Sequence, residues 1–145
     1  MTNPSSESKI AYGVGLAYRF NVHEYFLKYA SQIDLIEIPT ITYINRLNRL
    51  SQDPQYKLLE EALEVFPATA HGINFSLGSA SPLNEEYAHE TRRFLDKFDI
   101  DIFSEHCTFH QAGGIDLKSF MSMPFTQRSV ELIAEKYKYC EKLLG

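Results

Sequence analysis

The sequence predicts an α/β fold in which four strand-then-helix units run in succession and feed one parallel sheet. Three observations predict it. Short apolar runs alternate with segments whose apolar residues recur at helical spacing, the pattern of βα units joined by right-handed crossovers. Proline or glycine punctuates the ends of several runs. Ionisable residues recur near the carboxyl ends of the strand-like runs, where parallel α/β proteins carry their sites. Two architectures share this pattern, a doubly wound open sheet and a curved sheet belonging to a (βα)8 barrel, and composition does not separate them. A barrel takes ~250 residues, so 145 residues supply about four of its eight strands. Such a half-barrel or fragment has open edges at its first and fourth strands.

Residues 1–9 are polar and expected to be loose. From Ile10 the run Ile-Ala-Tyr-Gly-Val-Gly-Leu-Ala-Tyr predicts a strand buried on both faces, followed by a helix over about 22–30. Asp34-Leu-Ile-Glu-Ile predicts the second strand; Pro39 cannot donate to a ladder and stops it, leaving Glu37 near its carboxyl end. Asp53-Pro54 opens a helix with an aspartate cap and proline in the first turn, and Leu59, Ala62, Leu63 and Phe66 form its buried stripe before Pro67. The third strand spans about 69–75 and contains His71. Asn84-Glu85-Glu86 opens a helix that buries Tyr87, Thr91, Phe94, Leu95 and Phe98. Ile102-Phe-Ser-Glu105 is the fourth strand. A loop through Gly113, Gly114 and Met123-Pro-Phe-Thr126 then leads to a last helix with Val130, Ile133, Ala134, Tyr137, Cys140 and Leu144 on one side.

Hydrophobic content of 44% and charged content of 23% are near globular averages, and one domain over residues 1–145 is the expectation at this length. A net charge of -5 without a basic run argues against nucleic acid or an anionic membrane surface as a partner. No stretch reaches the ~18 apolar residues of a membrane span, and the first residues lack the apolar core of a signal peptide, so a cytoplasmic location is expected. Cys107 and Cys140 fall on a strand end and a distant helix and are expected to be free thiols.

Glu37, His71 and Glu105 are 34 residues apart each and lie at or near the carboxyl ends of three different strands. Neighbouring strands are ~4.8 Å apart, so side chains on one face at similar heights would converge. Two carboxylates and an imidazole suit iron, manganese or zinc. The competing reading is a histidine satisfied by backbone groups and glutamates paired with lysines. His106 and His110 follow closely; alternation turns His106 away from Glu105 and puts Cys107 on the Glu105 side. His106 is either a supporting or substrate-contacting residue or plain packing, and His23 and His89, on helices, are expected to be solvated. No serine sits in a nucleophile elbow and no Gly-x-Gly-x-x-Gly is present. The loop from Ser76 to Ser81 could offer backbone donors to an anion.

His71-Gly-Ile-Asn-Phe-Ser-Leu-Gly-Ser-Ala-Ser-Pro-Leu, Ser104-Glu-His, Gly113-Gly114 with Met123-Pro-Phe-Thr126, and Asp34-Leu-Ile-Glu-Ile occur in this order with compatible gaps. Together they resemble the motifs of the multinuclear non-haem iron-dependent oxidative enzymes, over roughly residues 13–145. The resemblance implies the amino-terminal half of a TIM barrel, a cluster of two or three irons, and oxidative modification, often at cysteine, of a ribosomally made precursor peptide delivered with a recognition partner protein. It makes His71 and Glu105 metal ligands and places His106 at a motif position. Pro39 stands where the family continues from its second strand with a ligating histidine, and the family's remaining ligands belong to the second half of the barrel, so fewer irons, or none, would be held here.

Three functions therefore stand as expectations. The first is an iron-dependent oxidase half-barrel. The second is a non-catalytic or vestigial half-barrel binding module, with a homodimer hiding its open sheet edges. The third is a mononuclear metal sugar isomerase-like barrel.

Overall fold

The computed structural model describes residues 13–44 and 53–145. Residues 1–9, expected to be loose, and the beginning of the expected first strand lie outside the described residues. Four parallel strands, β1 (Gly15–Ala17), β2 (Leu35–Pro39), β3 (Ala68–Gly72) and β4 (Phe103–Glu105), form one sheet in the order β1-β2-β3-β4. That order separates the two architectures. A doubly wound sheet reverses its strand order at a switch point, whereas a barrel wall adds each strand beside the last. Burial agrees: Ile36, Ile38 and Ala70 are fully buried on the helix side, while Leu35, Glu37, Pro39, Thr69 and His71 on the other face keep partial exposure. The sheet is a four-stranded piece of a TIM-like wall with its interior face open.

The helices form for the reasons the sequence offers. In α2 (Pro54–Val65) the Asp53 carboxylate accepts from the Gln55 N–H at 2.9 Å, and Leu59, Ala62 and Phe66 enter the core. In α3 (Glu85–Phe98) the Asn84 side chain accepts from the Tyr87 N–H at 3.0 Å, and Glu85 and Glu86 lie at the positive end of the helix dipole. Its Tyr87, Thr91, Phe94 and Leu95 are buried, and Asp99, in the left-handed region at φ 52°, ends it. The first helix, α1 (His23–Lys28), is shorter than expected and flanked by single 3-10 turns.

Four expectations are corrected. β1 is exposed throughout instead of buried on both faces, because among the described residues nothing pairs with its outer edge. His23 is buried, 3% exposed, rather than solvated. The Tyr18 hydroxyl donates to the Leu58 carbonyl at 3.0 Å and lies 2.9 Å from His23 Nδ1, while His23 Nε2 faces Glu61 Oε2 at 3.3 Å. In α4 (Gln127–Leu144), capped by Thr126, the predicted buried stripe is mostly uncovered: Cys140 is buried, but Val130 and Tyr137 are 62% and 57% exposed. The loop between β4 and α4 is instead a hairpin, β5 (Thr108–Ala112) and β6 (Ile115–Ser122). Gly113 and Gly114 turn it with φ 57° and 81°, the double positive φ that a two-residue hairpin of matching twist requires.

Candidate functional site

The site starts from β3 and β4. Their register sets His71 opposite Ser104 and Gly72 opposite Glu105. Side chains alternate along a strand, so His71 and Ser104 project to the open interior face and Glu105 to the helix side. His71 Nδ1 lies 2.7 Å from Ser104 Oγ, and His71 Nε2 lies 3.0 Å from His106 Nε2. His106 follows the end of β4, where the chain has left the strand, and its ring stacks on Phe120 of β6 at 4.6 Å between centroids. The hairpin thus folds over the strand ends. It is fixed there by the Gly78 N–H donating to Thr108 O at 2.9 Å and the His110 N–H donating to Ser76 Oγ at 3.0 Å.

Of the residues singled out in the sequence, His71 and His106 come together. Glu37 shares their face but stands one row lower, opposite Thr69. Glu105 turns the other way. Its Oε2 accepts from the Phe75 N–H at 3.2 Å and its Oε1 from the His106 N–H at 2.7 Å. Burial pushes its carboxyl up to about 7, against the pull of the His106, Phe75 and Asn74 N–H groups. The Phe103 ring and this carboxyl lie over Gly72, where an added Cβ would come within 2.4 Å of the ring and 2.6 Å of the carboxyl; this crowding is the physical reason for glycine after His71. Among the described residues no three His, Cys, Asp or Glu side chains form a group able to hold a metal ion. Convergence of Glu37, His71 and Glu105 on one spot is therefore not what the fold does; alternation in β4 separates Glu105 from His71.

In the sequence Ser104 stands out only as part of the Ser104-Glu-His motif, without a role of its own, and Phe120 does not stand out. Ser104 could have been found by alternation, since it lies two residues before His106 in the strand neighbouring His71. Phe120 could not, because its position depends on the hairpin. The anion-binding loop is also corrected: the Gly78, Ser79 and Ser81 N–H groups are committed to Thr108 O, Ser76 O and Ser79 Oγ. On the helix side, a cavity of 1130 Å³ opens between β4 and α4, with Glu105, Cys107 and Cys140 in its lining. As alternation predicts, Cys107 shares the side of Glu105. Cys107 is exposed, Cys140 is buried, and they are unbridged; burial, with the Glu105 charge, pushes the Cys140 thiol up to about 11.

The imidazole pair fits a metal in part. Two nitrogens each ~2.1 Å from one ion at a right angle to each other lie ~3.0 Å apart, which is the separation of the two Nε2 atoms. A metal-bound histidine donates its other N–H to an acceptor, and Ser104 Oγ stands at His71 Nδ1 to take it. The same 3.0 Å suits one proton shared between two neutral rings. Two ligands are present, and a complete set is not.

A parallel βα wall in sequential strand order, with an imidazole pair at its strand ends beneath a hairpin, is that of a partial TIM-type barrel. The family model described as "RiPP precursor modification enzyme MbnB/TglH/ChrH" matches residues 13–145, and the chain belongs to that family. It is 30% identical to a UPF0276 protein of Haemophilus influenzae over 92% of this chain and 42% of the relative. It is also 29% identical to a UPF0276 protein of Acinetobacter baylyi over 92% and 44%, and 30% identical to one of Shewanella oneidensis over 91% and 45%. The chain spans less than half the length of these relatives. Among the described residues no helix is long and apolar enough to cross a membrane.

Proposed function

We propose that this chain forms the first half of a barrel that oxidatively modifies a ribosomally made precursor peptide, with iron held on the His71–His106 pair. The observation that carries this reading is the 3.0 Å approach of the two Nε2 atoms at the strand ends, in a chain of the precursor-modifying family. Bound iron would supply redox chemistry and a Lewis-acid position that lowers the pKa of a ligating thiol, which suits a cysteine of the peptide. Ser104 accepts the His71 Nδ1 proton and so leaves Nε2 free to ligate. Phe120 fixes the plane of the His106 ring and excludes water from one side of it. Glu37, on the same face, is the nearest candidate for a carboxylate ligand; Glu105, held by backbone N–H groups on the far side, sets the turn that carries His106. A recognition protein that delivers the peptide belongs to the same reading.

The test is metal retention after anaerobic purification. Wild-type chain is expected to keep iron, His71→Ala and His106→Ala to lose most of it, and Ser104→Ala to bind ~10-fold more weakly. Wild-type protein without stoichiometric metal would sink the reading for this chain.

One observation favours the second reading, a half-barrel that binds without catalysing. Pro39 is in register with His71, so the residue at this position borders the imidazole pair, and proline offers it no ligand. In the same assay Pro39→His would then gain metal that the wild type does not hold.

A further inference from the structure

We propose that Thr40 is a positioning residue for His71: its hydroxyl, reaching across from the end of β2, fixes the main chain of the histidine and with it the meeting of the two imidazoles. The proposal rests on the functional reading for what that meeting does, and deepens it by naming what sets its geometry. Thr40 follows Pro39, the residue of β2 in register with His71, and is fully buried. Its Oγ1 donates to the His71 carbonyl at 3.0 Å. On the other side the same Oγ1 lies 3.4 Å from the hydroxyl of Tyr87 on α3. Tyr87 is itself held, since Thr91 Oγ1 donates to its carbonyl at 2.8 Å and its ring meets Phe75 edge-on at 5.0 Å between centroids. A buried polar chain thus runs from α3 through the end of β2 to the strand-end histidine.

A strand end is where such a tie matters. β3 stops at Gly72, and the His71 carbonyl belongs to the peptide that joins these two residues. Glycine has no side chain to hold that peptide plane. The imidazole stands at the end of a lever from the His71 Cα, so a rotation of the peptide is magnified at Nε2, where the contact with His106 Nε2 is 3.0 Å and metal–ligand distances hold to ~0.2 Å. Ser104 Oγ, at His71 Nδ1, fixes the ring about its own torsions; Thr40 fixes the main chain that carries the ring. The two hydroxyls therefore act on different parts of one residue. A threonine that only filled space would give way to valine, which has its shape, without moving the histidine. A threonine that anchors the carbonyl would not, because valine leaves a buried acceptor without this donor.

Long-range proton–nitrogen spectra of the histidine rings, recorded on metal-free chain at one fixed pH, separate positioning from space-filling. Thr40→Val is expected to shift or broaden the ring resonances of His71 and His106, and Thr40→Ser, which keeps the donor, to leave them at their wild-type positions. Ferrous iron titrated anaerobically should bind Thr40→Val about 10-fold more weakly than wild type, with Thr40→Ser close to wild type. Thr40→Ala also removes the donor and takes the place of Thr40→Val if the valine variant loses the wild-type circular-dichroism spectrum. Ring resonances unchanged by removal of the donor, an iron affinity equal to that of wild type, or a Thr40→Ser variant that restores neither would each overturn the proposal. A wild-type chain that binds no iron would sink the oxidase reading, and the ring spectra would still decide this one.

Discussion

Glu105 shows how one side chain's direction changes its role. Its carboxyl is buried on the helix side, and its pKa stands at about 7 against 4.5 when free. A raised acid pKa means that the folded state holds the proton more tightly than the unfolded state. Below about pH 4.5 both states are protonated and the group adds no pH-dependence; as pH rises from there to about 7 stability falls, and above that the loss is complete, at roughly 3 kcal/mol. Glu105→Gln cannot ionise. Relative to wild type it is expected to gain stability between pH 5 and pH 8 by up to that amount, on top of any pH-independent offset from altered hydrogen bonds. Urea denaturation at the two pH values measures the difference, and an equal gap at both would show that the carboxylate is not desolvated.

Elements with local signals were the most legible. The caps at Asp53 and Asn84 and the buried stripes of α2 and α3 act within one or two turns, and the sequence predicts them where they form. The hairpin is hidden because β6 is exposed throughout and β5 is half-buried without alternation, so neither strand carries a buried face that imposes an alternating pattern; Ile115, Phe120 and Met121 are 66%, 47% and 44% exposed. His71 is legible as a strand-end residue; for His106 the sequence leaves a supporting or substrate-contacting role and plain packing both open, since its pairing with His71 depends on the chain leaving the strand after Glu105. Gly78 lets the hairpin seat. A Cβ there would come within 2.2 Å of Met123 Sδ and 3.1 Å of the Thr108 backbone. Gly78→Val should therefore lift the hairpin from the Ser76–Ser79 loop, at a cost of ~1–3 kcal/mol from overpacking, and unstack Phe120 from His106. Amide and ring chemical shifts of residues 106–122 would report it; shifts confined to the neighbours of residue 78 would mean that the hairpin is held from elsewhere.

At the scale of the whole molecule, the misreadings of β1 and α4 have one cause. Apolar periodicity predicts that a face is meant to be covered, not that the cover lies among the described residues. Among the described residues β2 and β3 each have a strand on both sides, whereas β1 and β4 have one. Amides on the outer edges of β1 and β4 open without breaking the core and exchange fast, while those of β2 and β3 follow global stability. Hydrogen exchange should therefore be fast at residues 15–17 and 103–105 and slow at residues 35–39 and 68–72; equal protection of edge and central strands would show that the outer edges of β1 and β4 are covered.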